Sequence, residues 1–178
     1  MTRRLVVMRH AKSAYPAGVG DHDRPLAPRG VVDARAAGRW LRQHVGVPDH
    51  VVVSSARRAR GTWTLVAAEL GYIGAAGYEV DADGPLTVDP RVYDATTDAL
   101  FDVVHELPDR VQTAVIVGHN PGVEDLVSIL TRDAAKDAAR AIATKYPTSG
   151  IAVLEVEGDW EDVAPRTVYL RTFAVPRG

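Results

Sequence analysis

The sequence predicts an α/β fold of three layers, α/β/α, with a mostly parallel central sheet and an antiparallel edge. Three observations predict it. Residues 5–8, 51–53 and 114–117 are short valine-rich runs in which apolar and polar side chains do not alternate. Strands buried on both faces of a parallel sheet read this way. Each run is followed by a turn and then by apolar residues at near-helical spacing. Two more strand-like runs, residues 151–156 and 167–175, come late in the chain.

The first run is followed by Val31, Ala34, Ala37, Trp40, Leu41 and Val45, one face of a helix. The second is followed by Trp63, Leu65, Val66, Ala67 and Leu70, with Gly71 placed to end the helix. After the third, Asn120-Pro121-Gly122 precedes Val123, Leu126, Val127 and Leu130. Asn120 is the N-cap candidate there, with Pro121 at the first helical position. Residues 99–107 and 134–143 read as two further helices. Residues 151–156 and 167–175, linked through a Gly158-Asp159 turn and an irregular stretch reaching Pro165, are expected as an antiparallel pair at one sheet edge. No repeat or linker divides the 178 residues, so one domain, 1–178, is expected.

One connection is long for its place. Residues 11–28 hold Pro16, Gly18, Gly20, Pro25 and Pro28 and no convincing element. Long loops in compact domains are often functional. This one directly follows the first strand, where an open α/β sheet places its ligand.

Composition narrows the function. A net charge of −2 gives no general attraction to nucleic acid or an anionic membrane. The absence of cysteine removes disulfides, thiolate metal sites and cysteine nucleophiles. No apolar run approaches the roughly 20 residues of a membrane span, and the one near the N-terminus is too short for a signal-peptide core. A cytoplasmic protein is expected.

Polar groups fall where the strands end. Arg9-His10 closes the first strand, Ser54-Ser55 the second, and Gly118-His119 the third, with Arg57, Arg58 and Arg60 at the start of the second helix. Parallel strands bring these ends to one sheet edge, beside helix N-termini that favour anions. Arginine grips phosphate through a bidentate fork, and histidine acts as nucleophile, acid or base near neutral pH. Taken singly, each group has a structural reading: a turn histidine, or a solvated helix face. Three segments with one placement point instead to phosphoryl transfer. The sequence has no Gly-x-x-x-x-Gly-Lys loop, no Gly-x-Gly-x-x-Gly after the first strand, no His-Glu-x-x-His pair and no Gly-x-Ser-x-Gly elbow. A nucleophilic phosphatase needing neither metal nor cofactor is the remaining reading.

Met8-Arg-His-Ala-Lys-Ser13 resembles the Arg-His-Gly signature of the histidine phosphatase superfamily, in the variant of its short SixA-type branch. Asp21-His-Asp-Arg-Pro-Leu-Ala-Pro-Arg-Gly30 resembles that branch's next segment. Ser54-Ser-Ala-Arg-Arg-Ala-Arg-Gly-Thr62 resembles the Ser-Pro-x-x-Arg-Ala-x-x-Thr motif, a register that selects Arg58 over Arg57. Gly118-His-Asn-Pro-Gly122 resembles the motif of the second histidine, and Pro147-Thr-Ser-Gly150 also fits. Ala11 stands where the family has glycine, and Ser55 where it has proline. The large insertions of phosphoglycerate mutases and phytases are missing.

The resemblance implies a phosphoglycerate mutase-like fold and a phosphohistidine intermediate on His10. It implies phosphate contacts from Arg9, Arg58 and His119, with Ser13 and Asn120 as further substrate-binding residues. The family supplies its acid after the third strand, and Val92-Tyr93-Asp94 occupies the comparable place, so Asp94 is the first candidate; Asp23 and Asp21 in the long loop are the second. The implied substrate is protein phosphohistidine or a small phosphorylated molecule. A phosphate-binding regulatory module without turnover is the alternative; an intact His10 argues against it, since binding needs no nucleophile.

Overall fold

The computed structural model describes residues 1–71 and 85–178. Its sheet contains β1 (Thr2–Arg9), β2 (His50–Ser54), β3 (Leu86–Asp89), β4 (Thr113–Gly118), β5 (Thr131–Ala134), β6 (Ile151–Glu157) and β7 (Val168–Ala174). They run in the order β3-β2-β4-β1-β6-β7-β5. β3, β2, β4 and β1 are mutually parallel; β6 is antiparallel to both β1 and β7. The helices are α1 (Pro28–His44), α2 (Arg57–Leu70), α3 (Thr97–His105), α4 (Gly122–Leu130) and α5 (Lys136–Thr144).

The unalternated runs have a simple physical account. Successive strand residues point to opposite faces. Val6 and Met8 pack with Ala37 and Leu41 of α1 and Trp63 and Val66 of α2. Leu5 and Val7 pack on the other face with Leu100 and Val103 of α3 and Leu126 and Leu130 of α4. β4 divides likewise, Val115 and Val117 to the first core and Ala114 and Ile116 to the second. Both faces are covered, so every position in the run is apolar. The three runs become adjacent parallel strands, as the sequence predicts.

Two strands carry too little apolar signal to be read from the sequence. β3 is a four-residue edge strand ended by Pro90, and β5 is Thr-Arg-Asp-Ala at the opposite edge. Short, charged edge strands resist pairing with other chains, and so lack the valine signature. Because β5 pairs with β7, the antiparallel pair lies inside the sheet rather than at its edge. The helix expected at residues 134–143 accordingly starts later, at Lys136, and that expected at 99–107 starts earlier, at Thr97.

The α4 cap also differs. The helix starts at Gly122, one residue later than the sequence suggests, with Pro121 at the N-cap. Asn120 does not cap it: its Oδ1 accepts from no described group, while its Nδ2 donates to Glu124 Oε2 at 2.6 Å and to the Tyr146 carbonyl at 3.2 Å. The His119 carbonyl instead accepts from Val123 N–H at 3.0 Å. The long connection is held without much regular structure, by a Ser13–Leu26 bridge and one 3₁₀ turn, Asp21–Asp23. Gly30 is required beneath it, since a Cβ there would lie 2.0 Å from the Lys12 carbonyl oxygen.

Candidate active site

β1, β2 and β4 end side by side, and His10 and His119 follow β1 and β4 directly. Their ring centroids are 4.9 Å apart. The His10 backbone N–H donates to the Gly118 carbonyl at 3.0 Å, which locks the two strand ends together. His10 Nδ1 lies 2.7 Å from the Ala11 carbonyl oxygen. A carbonyl only accepts, so Nδ1 carries the proton and Nε2 keeps its lone pair. Arg58 Nε donates towards that Nε2 at 3.3 Å.

Two buried hydroxyls fix this arrangement. Thr62 Oγ1 accepts from the Ala11 N–H at 3.0 Å and donates to the Arg58 carbonyl at 2.7 Å. It thereby ties the nucleophile's loop to the helix that carries the arginine. Ser54 Oγ lies 2.7 Å from His119 Nε2 and accepts from the Ala56 N–H at 3.2 Å, at the N-cap of α2. Neither was a candidate site residue. The four-residue spacing from Arg58 to Thr62 puts both on one helix face, the signal that marks Thr62.

A cavity of about 380 Å³ opens over this edge, walled by Asp21, Arg58, Tyr93, Asp94, His119 and Asn120 among others. Arg9 is anchored beside it, donating from Nη1 to the Tyr146 carbonyl at 2.8 Å. The same carbonyl accepts from Asn120, so Asn120's donors are already engaged. Arg57 is exposed while Arg58 is buried, as the motif register requires. Ser13 is buried, and its hydroxyl accepts from Arg24 Nη2, a contact that supports the long loop; like His10 and Arg9, it is not itself among the cavity walls. Asp23 is exposed beside His22 and is likewise not among the walls. Of the three candidate acids, Asp94 and Asp21 reach the cavity. Among the described residues, no group of three or more His, Asp, Glu or Cys side chains is arranged to hold a metal.

Asp21 is tied down in a way its sequence position does not announce. Its carboxylate accepts from Tyr93 Oη at 2.8 Å, Arg58 Nη2 at 3.0 Å and Arg24 Nη1 at 2.8 Å. The Tyr93 hydrogen bond and the Arg58 guanidinium hold it below the usual carboxylate range. Burial, reinforced by Arg58 and Arg9, pushes His10 down to about 4. Burial, with His10 and Arg58 alongside, pushes His119 down to about 3. At neutral pH the site therefore combines two neutral imidazoles with fixed guanidinium charge, a setting for an anion and a nucleophilic nitrogen.

The pH dependence follows. Activity that needs neutral His10 falls as the pH drops through about 4, not through the ordinary value of 6.5. The check is kcat/KM against pH, corrected for the substrate's own ionisation; an acid limb near 6.5 counts against a buried neutral nucleophile. Stability shifts with it. Below pH 6.5 the unfolded chain takes up protons that folded His10 refuses, so stability present above 6.5 is lost down to about pH 4.

Comparison with known proteins identifies the family and the fold. The family model of the histidine phosphatase superfamily (branch 1) matches residues 5–83. A structure described as a SixA phosphohistidine phosphatase from Nakamurella multipartitia superposes with a TM-score of 0.81 at 31% identity, covering 99% of this chain and 97% of that one. An uncharacterised protein of Mycobacterium tuberculosis is 44% identical over 172 residues, 96% of this chain and 100% of its own. A SixA protein histidine phosphatase solved with tungstate shares the fold at a TM-score of 0.73 and 21% identity, covering 97% of each chain. The chain belongs to the histidine phosphatase superfamily. Its fold is the mixed α/β sheet of phosphoglycerate mutase-like members, and its structural neighbours include the SixA type. Among the described residues no helix is long and apolar enough to cross a membrane.

Proposed function

We propose that this chain is a metal-independent phosphatase that works through phosphohistidine on His10, acting on protein phosphohistidine or a small phosphorylated molecule. The observation that carries the reading is the state of His10: Nδ1–H held by the Ala11 carbonyl, Nε2 unprotonated, and Arg58 Nε 3.3 Å from it. Nε2 attacks phosphorus in line, an N–P bond forms, and the bond to the leaving group breaks with its electron pair. Arg58, Arg9 and His119 bind the equatorial oxygens, so the protein's part is mostly position and charge. Asp94 protonates a leaving oxygen. Water then attacks the phosphorus of the phosphohistidine and gives a proton to the Asp94 carboxylate; the N–P bond breaks with its electron pair returning to Nε2, which releases phosphate and restores neutral His10.

The SixA description of the similar structures supports phosphohistidine as substrate. So does the leaving-group chemistry, because an imidazole departs more readily than an alkoxide and asks less of the acid. The test is to trap the intermediate with radiolabelled phosphoramidate and with a phosphohistidine protein. An acid-labile, base-stable phosphoryl group on His10 is expected during turnover. Turnover without any phosphoenzyme would point to direct attack by water.

A further inference from the structure

The second histidine can serve a phosphoryl group only if the correct ring nitrogen carries a proton. We infer that Ser54 is a positioning residue whose hydroxyl donates to His119 Nε2 and so fixes Nδ1–H as the donor offered to the phosphoryl oxygen. This inference rests on the phosphatase reading above.

The proton count at two buried groups carries it. Ser54 and His119 are both buried, Ser54 completely. Ser54 Oγ already accepts from the Ala56 N–H at 3.2 Å, and its other contact is His119 Nε2 at 2.7 Å. A hydroxyl has one proton to give. Given to Nε2, that proton satisfies both groups and leaves the second proton of the neutral ring on Nδ1. In the reverse arrangement Ser54 Oγ accepts twice, as its two lone pairs allow, but its own proton goes unused. Nδ1 would then present a lone pair to an anion. Nδ1 is also the ring nitrogen that is buried without a hydrogen-bond partner among the described residues, on a ring that walls the cavity.

The choice of serine has a further consequence. A carboxylate at this place would hold His119 charged. A hydroxyl instead tolerates both states: it donates to the neutral ring and, after rotating, accepts from Nε2–H when an anion draws a proton onto His119. His119 can then gain charge with the phosphoryl group and lose it as phosphate leaves. Ser54 also binds the Ala56 N–H, so it links His119 to the start of the helix that carries Arg58.

The tautomer is directly observable. In wild-type protein labelled with ¹⁵N-histidine, at pH 7.5 and without phosphate, His119 is expected to show a protonated Nδ1 and an unprotonated Nε2. Ser54→Ala is expected to remove that bias and lower kcat/KM on the order of 10–10²-fold, the scale typical of lost partners behind a site ligand. Ser54→Thr, which keeps the hydroxyl, is expected to restore the tautomer and most of the activity. A wild-type His119 with its proton on Nε2 overturns the inference, as does Ser54→Ala with kcat/KM within twofold of wild type. If Ser54→Ala does not fold, the wild-type tautomer decides. Failure of the phosphatase reading is distinct: wild-type protein then takes no phosphoryl group onto His10, whichever nitrogen of His119 is protonated.

Discussion

Replacing His10 by alanine is expected to reduce turnover of aryl phosphates and phosphoramidates alike by at least about 10⁴-fold, because in the proposed mechanism both pass through the same covalent step. The substitution removes the buried imidazole whose unprotonated Nε2 lies 3.3 Å from Arg58 Nε. Arg58, His119 and Arg9 stay in place, so the site keeps its charge. Binding of inorganic phosphate is therefore expected to persist within a few-fold, measured by calorimetric titration. Retained binding with lost turnover separates the nucleophile from the cradle around it. Residual turnover above about one per cent of wild type would mean that water attacks directly and His10 only assists. Loss of phosphate binding would mean that His10 itself is part of the anion site.

How legible this site is from sequence depends on how local its causes are. β1, β2 and β4 can be read because both of their faces are covered and their runs are wholly apolar. The positions of His10, Arg58 and His119 follow from the strand ends and the motif register. β3 and β5 are short and sit at the edges, where burial leaves no pattern. The contacts that decide side-chain chemistry are less visible still. Arg58 meets Asp21 across 37 positions, and Tyr93 meets Asp21 across 72. Tyr146, which anchors both Arg9 and Asn120 through one carbonyl, is a single aromatic residue outside any periodic pattern. Asn120 shows how a sound local rule is overridden. Its place before proline and glycine suits an N-cap, yet Glu124 and the Tyr146 carbonyl draw its Nδ2, and its Oδ1 accepts from no N–H of the helix.

Asp94→Asn is expected to slow hydrolysis of alkyl phosphate esters by roughly 10²–10⁴-fold, the usual contribution of general acid catalysis, and that of aryl phosphates or phosphohistidine much less. The structure narrows the choice of acid. Asp21 shares the cavity, but its carboxylate already accepts from Arg58, Arg24 and Tyr93 and is held below the usual range, which makes it a poor proton donor while those contacts last. Asp94 is exposed, walls the same cavity and has a φ of 51°, a left-handed conformation uncommon for any residue but glycine. Asp and Asn visit that region more readily than other side chains, so the turn keeps Asp94 at the cavity wall without a glycine. Asparagine is the right replacement, because it tolerates the left-handed region and preserves shape while removing the acid. The measurement is kcat/KM across a series of leaving groups of rising pKa. Wild type should depend weakly on leaving-group pKa and the variant steeply, since only the variant must expel an unprotonated oxygen. Equal losses across the series would make Asp94 a positioning group. No loss would return the role to Asp21, released from Arg58 once a phosphoryl group takes the guanidinium.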